Sequence, residues 1–131
     1  MSDLATGVMT VALTLWMEAG GEPIEGKTAV ASVIWNRAHG EPSRLVPVCR
    51  ADGQFSSWNG LTYRVAVARA PHQGAAWDDC LRLAGEMVRG EFTPATDATF
   101  FHGPSLEAAP AEWGRVARVG RWGRQTFYRA A

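Results

Sequence analysis

The sequence is poor in the residues that build metal sites and disulfide frameworks. Its 131 residues include two cysteines and three histidines. Cys49 and Cys80 have no CxxC spacing, and His39, His72 and His102 lie far apart with no HExxH motif. A zinc peptidase or amidase needs a cluster of such ligands. We therefore expect no metal and no cofactor, and we interpret both cysteines as buried structural thiols, with a single disulfide as the alternative.

The sequence also lacks an excess of charge of one sign. Thirteen lysine and arginine residues stand against thirteen aspartate and glutamate residues, so the formal net charge is zero. A protein that binds nucleic acid by neutralising many phosphates carries a positive excess. We therefore expect no nucleic acid partner.

Long apolar runs are missing as well. No stretch reaches the roughly 18 apolar residues of a membrane-spanning helix, which predicts no membrane insertion. Residues 4–17 are apolar, but an aspartate and no lysine or arginine precede them, and they lead into Glu18 rather than into a small-residue cleavage site. This pattern is not that of a signal peptide. We expect a cytoplasmic product on synthesis, without an export route of its own.

Apolar residues recur at helical spacing in three segments, and residues that start or stop helices bound them. Ser2 or Asp3 is the expected N-cap of the first helix, Pro23 opens the second, Gly40 closes it, and Gly90 ends the third. The predicted helices cover residues 3–19, about 23–39, and 74–89.

The remaining segments lack this spacing. Residues 40–73 are rich in proline, glycine, serine and asparagine, which predicts loops with at most one short helical turn. Residues 99–101 and 125–128 have strand chemistry, with a glycine-rich turn region between them, and they predict a small C-terminal β-hairpin. No repeat or linker divides the chain. We therefore expect one domain, residues 1–131, of the α+β class and mostly helical.

One carboxyl group occupies a special place in this pattern. Glu18 lies at the end of the first apolar helix, where Gly20 and Gly21 stop it. A carboxyl group there feels the negative end of the helix macrodipole, and burial against Trp16 would add a desolvation cost. Both effects favour the protonated form. A carboxylic acid that keeps its proton is what cleavage of a glycosidic bond needs as its general acid.

The residues around Glu18 resemble the opening of the cell wall hydrolase family, which includes bacterial spore cortex-lytic enzymes and phage lysins. The sequence E-A-G-G-E-P from residue 18 is similar to the family motif A-E-A-R-G-E-P, and A-V-A-S-V-I with N-R at residues 36–37 is similar to the helix that follows it. Further matches are Q-F-S-x-W-N at residues 54–59, F-H at 101–102 and F-Y at 127–128. The resemblance spans about residues 11–129.

This resemblance implies a lysozyme-like fold and an enzyme that cleaves peptidoglycan glycan strands between N-acetylmuramic acid and N-acetylglucosamine. It implies Glu18 as the catalytic residue. Aromatic rings stack on sugars, and short polar side chains bond to hydroxyl and acetamido groups. The residues predicted to bind the substrate are Glu22, Phe55, Ser56, Trp58, Asn59 and His102.

Each of these residues also has a structural interpretation. Trp58 fits a core residue, Ser56 and Asn59 fit turn formers, and His102 fits a hydrogen-bonded residue at the end of a strand. Trp113 fits either a groove wall or the core.

Two reaction chemistries are open. Hydrolysis by a muramidase needs a second carboxylate, for which Glu22, Glu25 and Asp52 are candidates. Lytic transglycosylation, which the resemblance to spore cortex-lytic enzymes suggests, uses the C6 hydroxyl of the substrate as nucleophile and needs one glutamate.

The chain departs from the family pattern at two positions. Gly20 stands where an arginine is usual, so a side chain able to contact substrate or to brace Glu22 is absent. Gln125 stands where the family often has histidine.

The C-terminal residues are strongly basic. Glu112 is the only acidic residue after residue 107. We interpret this segment as a solvated basic edge, with attraction to an anionic cell wall as the alternative. The arginines concerned are Arg115, Arg118, Arg121, Arg124 and Arg129.

The expected setting is that of a phage or prophage endolysin, a monomer that a holin-type membrane-permeabilising partner releases to the wall. Two other function classes are weighed against it. One is a zinc amidase or peptidase of the wall. The other is a non-catalytic wall-binding or virion structural protein.

Overall fold

The computed structural model describes residues 3–131, in which five helices precede a three-stranded sheet. Ser2, one of the two expected N-caps, lies outside the described residues. The helices are α1 (Asp3–Ala19), α2 (Ile24–Arg37), α3 (Leu45–Arg50), α4 (Tyr63–Arg69) and α5 (Ala75–Val88). The strands are β1 (Phe100–His102), β2 (Val116–Trp122) and β3 (Gln125–Ala130). No helix in this part of the chain is both long enough and apolar enough to cross a membrane.

Helix α1 lies at the centre of the helical part. It packs against all four other helices, and its residues Val11, Leu13 and Leu15 are fully buried. An α-helix that is apolar on nearly every side has to be surrounded in this way. The C-terminal end of this central helix carries Glu18, so the packing of the core fixes the position of that residue.

The three predicted long helices are confirmed, with ends that differ by no more than two residues from the expected ones. Gly40 and Gly90 follow α2 and α5 with φ of +69° and +72°. This left-handed conformation favours glycine at helix ends.

The prediction of loops over residues 40–73 is wrong, because that segment contains helices α3 and α4 and two 3₁₀ turns, Pro42–Arg44 and Ser56–Trp58. Helices of six or seven residues have too few turns to show a repeated apolar spacing. Thr62 gave a local indication, since its hydroxyl accepts a hydrogen bond from the Val65 N–H and caps α4.

The C-terminal sheet is confirmed as antiparallel but differs in its pairing. We predicted a hairpin between residues 99–101 and 125–128, whereas the hairpin joins β2 to β3 and β1 pairs with the other edge of β3. The arginines and glycine of β2 hid its strand character. Gly123, with φ of +61°, occupies the first position of the two-residue turn between β2 and β3, as in a type II′ turn.

Both cysteines are buried free thiols. Burial raises the pKa of Cys49 to about 12 and that of Cys80 to about 11. A raised thiol pKa means that the unfolded chain ionises first, so the stability linked to these groups is complete below about pH 8.5 and declines as pH rises above it.

We expect neither thiol of the folded protein to react readily at pH 8, because only about 10⁻⁴ of a thiol with a pKa near 12 is thiolate there. Labelling with an aromatic disulfide reagent should be slow in buffer and should reach two thiols per chain in denaturant. Cys80→Ala leaves Cys49 as the single reporter and serves as the control. Rapid labelling of the folded wild type would contradict the burial of these groups.

Candidate active site

Glu18 lies at the C-terminal end of α1, just before the turn that leads into α2. Its side chain is half-buried one residue before the end of α1, and the chain then turns through Gly20 and Gly21 into α2. The backbone N–H of Glu22 donates to the Ala19 carbonyl at 2.9 Å and tightens this turn.

The Ser56–Trp58 turn braces the carboxyl group of Glu18. Ser57 Oγ donates to Glu18 Oε2 at 2.5 Å. Next to it, Trp58 Nε1 donates to Thr14 Oγ1 at 2.9 Å. Thr14 and Glu18 are four residues apart and therefore lie on the same face of α1. The buried Trp58 thus anchors the turn on α1, and Ser57 contacts the acid one helical turn further along.

Ser57 was not among the predicted site residues, and its role can be tested directly. We expect Ser57→Ala to lower kcat about tenfold while stability changes little, because the carboxyl group loses the donor that fixes its orientation. Steady-state cleavage of soluble glycan strands measures this effect. Ser43→Ala, in the exposed Pro42–Arg44 turn, is the matched control. Unchanged kcat in Ser57→Ala would show that the hydrogen bond is dispensable.

Arg37, at the end of α2, forms one wall beside Glu18. Its Nε donates to the Thr99 carbonyl at 2.8 Å and its Nη1 to Gln54 Oε1 at 3.3 Å, while its guanidinium lies 5.1 Å from the centre of the Phe55 ring. Burial lowers the pKa of Arg37 from its ordinary value, and the charge of Glu18 acts in the opposite direction. Arg37 therefore joins the loop before the Ser56–Trp58 turn to the segment that leads into β1.

The aromatic wall lies next to Arg37, whose guanidinium is 6.0 Å from the centre of the Phe100 ring. Trp113, in the 3₁₀ turn Ala111–Trp113, stacks on Phe100 with ring centres 5.0 Å apart. His102 Nδ1 donates to the Gly103 carbonyl at 2.9 Å, and its Nε2 is hydrogen-bonded to the Tyr128 hydroxyl at 2.8 Å. A half-exposed indole beside fixed polar groups is a surface on which a sugar ring can stack.

Arg37 and the aromatic wall line a cleft of about 640 Å³, with Glu18 among the other lining residues. It is open to solvent and has room for several sugar rings. The other lining residues are Arg37, Gly53, Gln54, Ser56, Phe100, Phe101, His102, Gly103, Glu112 and Trp113.

Of the predicted site residues, the structure brings Glu18, Ser56 and His102 together in this cleft. Trp113, for which two interpretations were open, also lines it. The substrate-binding roles of Ser56 and His102 are predictions that their positions allow.

The other predicted binding residues lie outside the lining of the cleft. Phe55 is buried beneath Arg37, and Trp58 is buried against α1 with the Arg50 guanidinium 4.2 Å from its ring centre. Asn59 is exposed. For Phe55 and Trp58 the structure provides a packing role, and contact of any of the three with substrate stays a prediction.

Glu22, also predicted to bind substrate, is buried in an ion pair. Its Oε1 accepts from the Arg124 backbone N–H at 2.7 Å, and its Oε2 lies 3.1 Å from Arg124 Nε and 3.0 Å from Nη2. Lys27 Nζ donates to the Glu22 carbonyl from the same side of the loop. An arginine from the β2–β3 turn thus braces Glu22.

The structure leaves no space for a side chain at position 20, where the family usually has arginine. A Cβ atom on Gly20 would lie 2.5 Å from the Trp16 carbonyl oxygen and 2.7 Å from ring atom Cε3 of Trp16. Any side chain at position 20 would therefore require Trp16 and the end of α1 to shift.

Gln125, which stands where the family often has histidine, connects the sheet to the end of α1. Its Nε2 donates to the Glu18 carbonyl at 3.1 Å, and its buried Oε1 meets no donor within residues 3–131. Together with the Glu22–Arg124 pair, this hydrogen bond ties the α1–α2 turn to the hairpin at two points. The orientation of Glu18 relative to the aromatic wall is fixed in this way.

None of the three predicted candidates for a second carboxylate is available in the cleft. Glu22 is occupied by Arg124, and the exposed side chains of Glu25 and Asp52 lie outside the lining of the cleft. The carboxylate that shares the cleft with Glu18 is Glu112, which was not predicted from the sequence as a site residue. Its proximity depends on the fold, because 94 positions separate it from Glu18.

Metal-ligating residues form no group of three or more anywhere in the described part of the chain. The three histidines are dispersed: His39 lies beyond α2, His72 contacts the Val67 carbonyl, and His102 is bonded within the cleft.

The fold is similar to two solved structures. The catalytic domain of the germination-specific lytic transglycosylase SleB from Bacillus anthracis has a TM-score of 0.66 at 22% identity, covering 97% of this chain and 95% of that chain. The catalytic domain of the Bacillus cereus SleB protein has a TM-score of 0.64 at 21% identity, covering 94% and 89%. At these identities the likeness establishes the fold, and it confirms the expected α+β class. No curated protein matches the chain significantly.

The family model described as Cell Wall Hydrolase matches residues 21–128. The matched segment is most of the chain and includes Arg37, Ser57, His102 and Trp113. It begins three residues after Glu18 and therefore does not include that residue. The resemblance inferred from the sequence is confirmed, and the chain belongs to the cell wall hydrolase family.

Proposed function

We propose that this protein cleaves peptidoglycan glycan strands between N-acetylmuramic acid and N-acetylglucosamine by lytic transglycosylation, with Glu18 as general acid. The observation that carries the proposal is the single carboxyl group braced by Ser57 in the cleft that Arg37 and the aromatic wall line. The fold likeness to a lytic transglycosylase supports the same chemistry.

In the proposed reaction, Ser57 occupies Oε2 of Glu18 and leaves Oε1 for the substrate. The Glu18 carboxyl group protonates the oxygen between the two sugars as its bond to C1 of the muramic acid breaks. The C6 hydroxyl of the same sugar then attacks C1, and the Glu18 carboxylate takes up the hydroxyl proton. The product carries a 1,6-anhydro end, no water is consumed, and Glu18 returns to its starting protonation state.

Hydrolysis is a second candidate because Glu112 lines the same cleft. A carboxylate there would activate a water molecule for attack on C1, as in glycosidases with two acids. Glu112 lies in the exposed Ala111–Trp113 turn, and none of the hydrogen bonds or ion pairs found for the described side chains holds its carboxylate. This lack of fixed orientation favours the transglycosylase.

Mass spectrometry of the products separates the two reactions. Transglycosylation predicts muropeptides with anhydro ends, made equally well by Glu112→Gln. Reducing ends, whose formation falls about 10²-fold or more in Glu112→Gln, would assign hydrolysis with Glu112 as base. Release of peptides without glycan cleavage would overturn both.

We expect activity to survive EDTA, because the proposed chemistry uses only carboxyl and hydroxyl groups. Turbidity clearing of purified walls should be the same before and after chelation, within about twofold. Complete loss on chelation, with recovery on addition of zinc, would favour the amidase or peptidase alternative.

We further propose the endolysin setting that the sequence suggested, with holin-dependent release, a monomeric state and a cytoplasmic product on synthesis. Expression in a bacterial host with and without a holin tests it. Lysis that depends on the holin supports this setting, and lysis without it contradicts it.

A further inference from the structure

The outward face of the sheet carries two arginines in line with the aromatic wall. Arg118 pairs with Tyr128 and Arg121 with Thr126 across β2 and β3, with a register shift between Arg118 and Gly120. In a regular strand, residues three apart point to opposite faces, but one extra residue at a bulge restores them to the same face. The bulge therefore places Arg118 and Arg121 on the face that also carries Tyr128.

These arginines line a pocket of about 540 Å³ that adjoins the Glu18 cleft. His102 and Gly103 belong to both the pocket and the Glu18 cleft. A substrate lying in the cleft can therefore extend into this pocket around His102. The pocket is bounded on its other side by the segment from residue 103 to residue 109.

The charges of the pocket are unevenly compensated. Arg124 also lines it, but its charge is matched by the buried Glu22. Arg121 Nε donates to the Gly123 carbonyl at 3.3 Å, which leaves its two terminal nitrogens, and Arg118 has an exposed guanidinium. Glu107 supplies the single negative charge on the opposite side. Two uncompensated arginines thus face one carboxylate.

We propose that this pocket binds the peptide stem of peptidoglycan, with Arg118 and Arg121 holding stem carboxylates while the glycan lies in the Glu18 cleft. The proposal rests on the proposed function, since it assigns the branch of the same substrate. A stem leaves each muramic acid through its lactyl group and carries free carboxylates, together with an amino group where it is not cross-linked. Guanidinium groups bind carboxylates in a planar, two-bonded geometry, and Glu107 suits the amino group.

This assignment gives two of the C-terminal arginines a role different from the solvated edge expected from the sequence. Arg115 and Arg129 lie outside the pocket, and Arg129 pairs with Asp97 at 3.5 Å. Replacing Arg115 and Arg129 therefore serves as a matched control for replacing Arg118 and Arg121, because each pair of substitutions removes two positive charges from the C-terminal part of the chain.

The test compares glycan strands that keep their stems with strands from which an amidase has removed them. For Arg118→Gln combined with Arg121→Gln, kcat/KM on stem-bearing strands should fall about tenfold, and on stripped strands it should change less than about twofold. Arg115→Gln combined with Arg129→Gln should leave both unchanged at physiological salt. An equal loss on both substrates, or an equal loss in the control variant, would overturn the proposal.

Equilibrium binding in a Glu18→Gln background separates failure of this proposal from failure of the proposed function. If the wild type cleaves neither substrate, the glycosidase assignment fails, while binding still reports on the pocket. We expect stem-bearing strands to bind several-fold more tightly than stripped strands, and the Arg118 and Arg121 substitutions to abolish the difference. Equal binding of the two kinds of strand would contradict a stem site.

Discussion

Replacing Glu18 by glutamine should lower the rate of wall cleavage about 10²–10⁴-fold while the protein stays folded. Glutamine keeps the shape of the side chain and can still accept the Ser57 hydrogen bond, but it has no proton to transfer to the leaving oxygen. An uncharged side chain at the C-terminal end of α1 is neutral or slightly stabilising. Turbidity clearing measures the rate, and thermal unfolding measures the stability.

Glu25→Gln is the matched control, because Glu25 lies seven residues away in the first turn of α2 and its side chain is exposed outside the cleft. It should clear walls at the wild-type rate. A Glu18→Gln variant that retains more than roughly a tenth of the wild-type rate would remove Glu18 from the general acid role.

The Glu22–Arg124 pair should give the largest effect on stability. Arg124→Met removes two of the three contacts to a carboxylate that is only 6% exposed, and leaves the backbone N–H. Leaving a buried charge without its partner costs about 1–3 kcal/mol, here toward the lower end because the Arg124 side chain is 66% exposed. A fall in Tm of several degrees should follow. Activity should also fall, because this pair ties the turn after Glu18 to the hairpin.

Arg129→Met, which breaks the exposed pair with Asp97, should change the free energy of unfolding by less than about 0.5 kcal/mol. A double-mutant cycle of Glu22→Gln with Arg124→Met measures the coupling itself. If Arg124→Met unfolds at the wild-type temperature, the bracing role assigned to this pair is wrong.

The parts of the fold that follow from local periodicity were predictable. The helices containing Glu18, Arg37 and Cys80 are long enough to show apolar spacing, and glycine or proline bounds each of them. The short helices α3 and α4 were missed because one or two turns carry no repeated pattern. Strand β2 was missed because arginines occupy its outward face.

The sequence allowed a prediction of the catalytic residue but not of the residues that support it. Glu18 was predicted because the helix end and the motif coincide at one place in the chain. Ser57, Arg37 and Arg124 act through contacts with residues 17 to 102 positions away, which no local pattern encodes. Trp58 and Phe55 were proposed to bind sugar because aromatic rings suit both a groove and a core, and burial is decided by the tertiary structure.

The proposed mechanism requires the scissile glycosidic bond to lie against Glu18 in the cleft that Arg37 and Trp113 line. A crystal structure of Glu18→Gln with a bound peptidoglycan fragment tests it most directly. We predict that the oxygen linking muramic acid to glucosamine lies within about 3 Å of the side chain at position 18, with a sugar ring against Trp113. A fragment bound elsewhere, or with its linking oxygen beyond the reach of that side chain, would contradict the proposed role of Glu18.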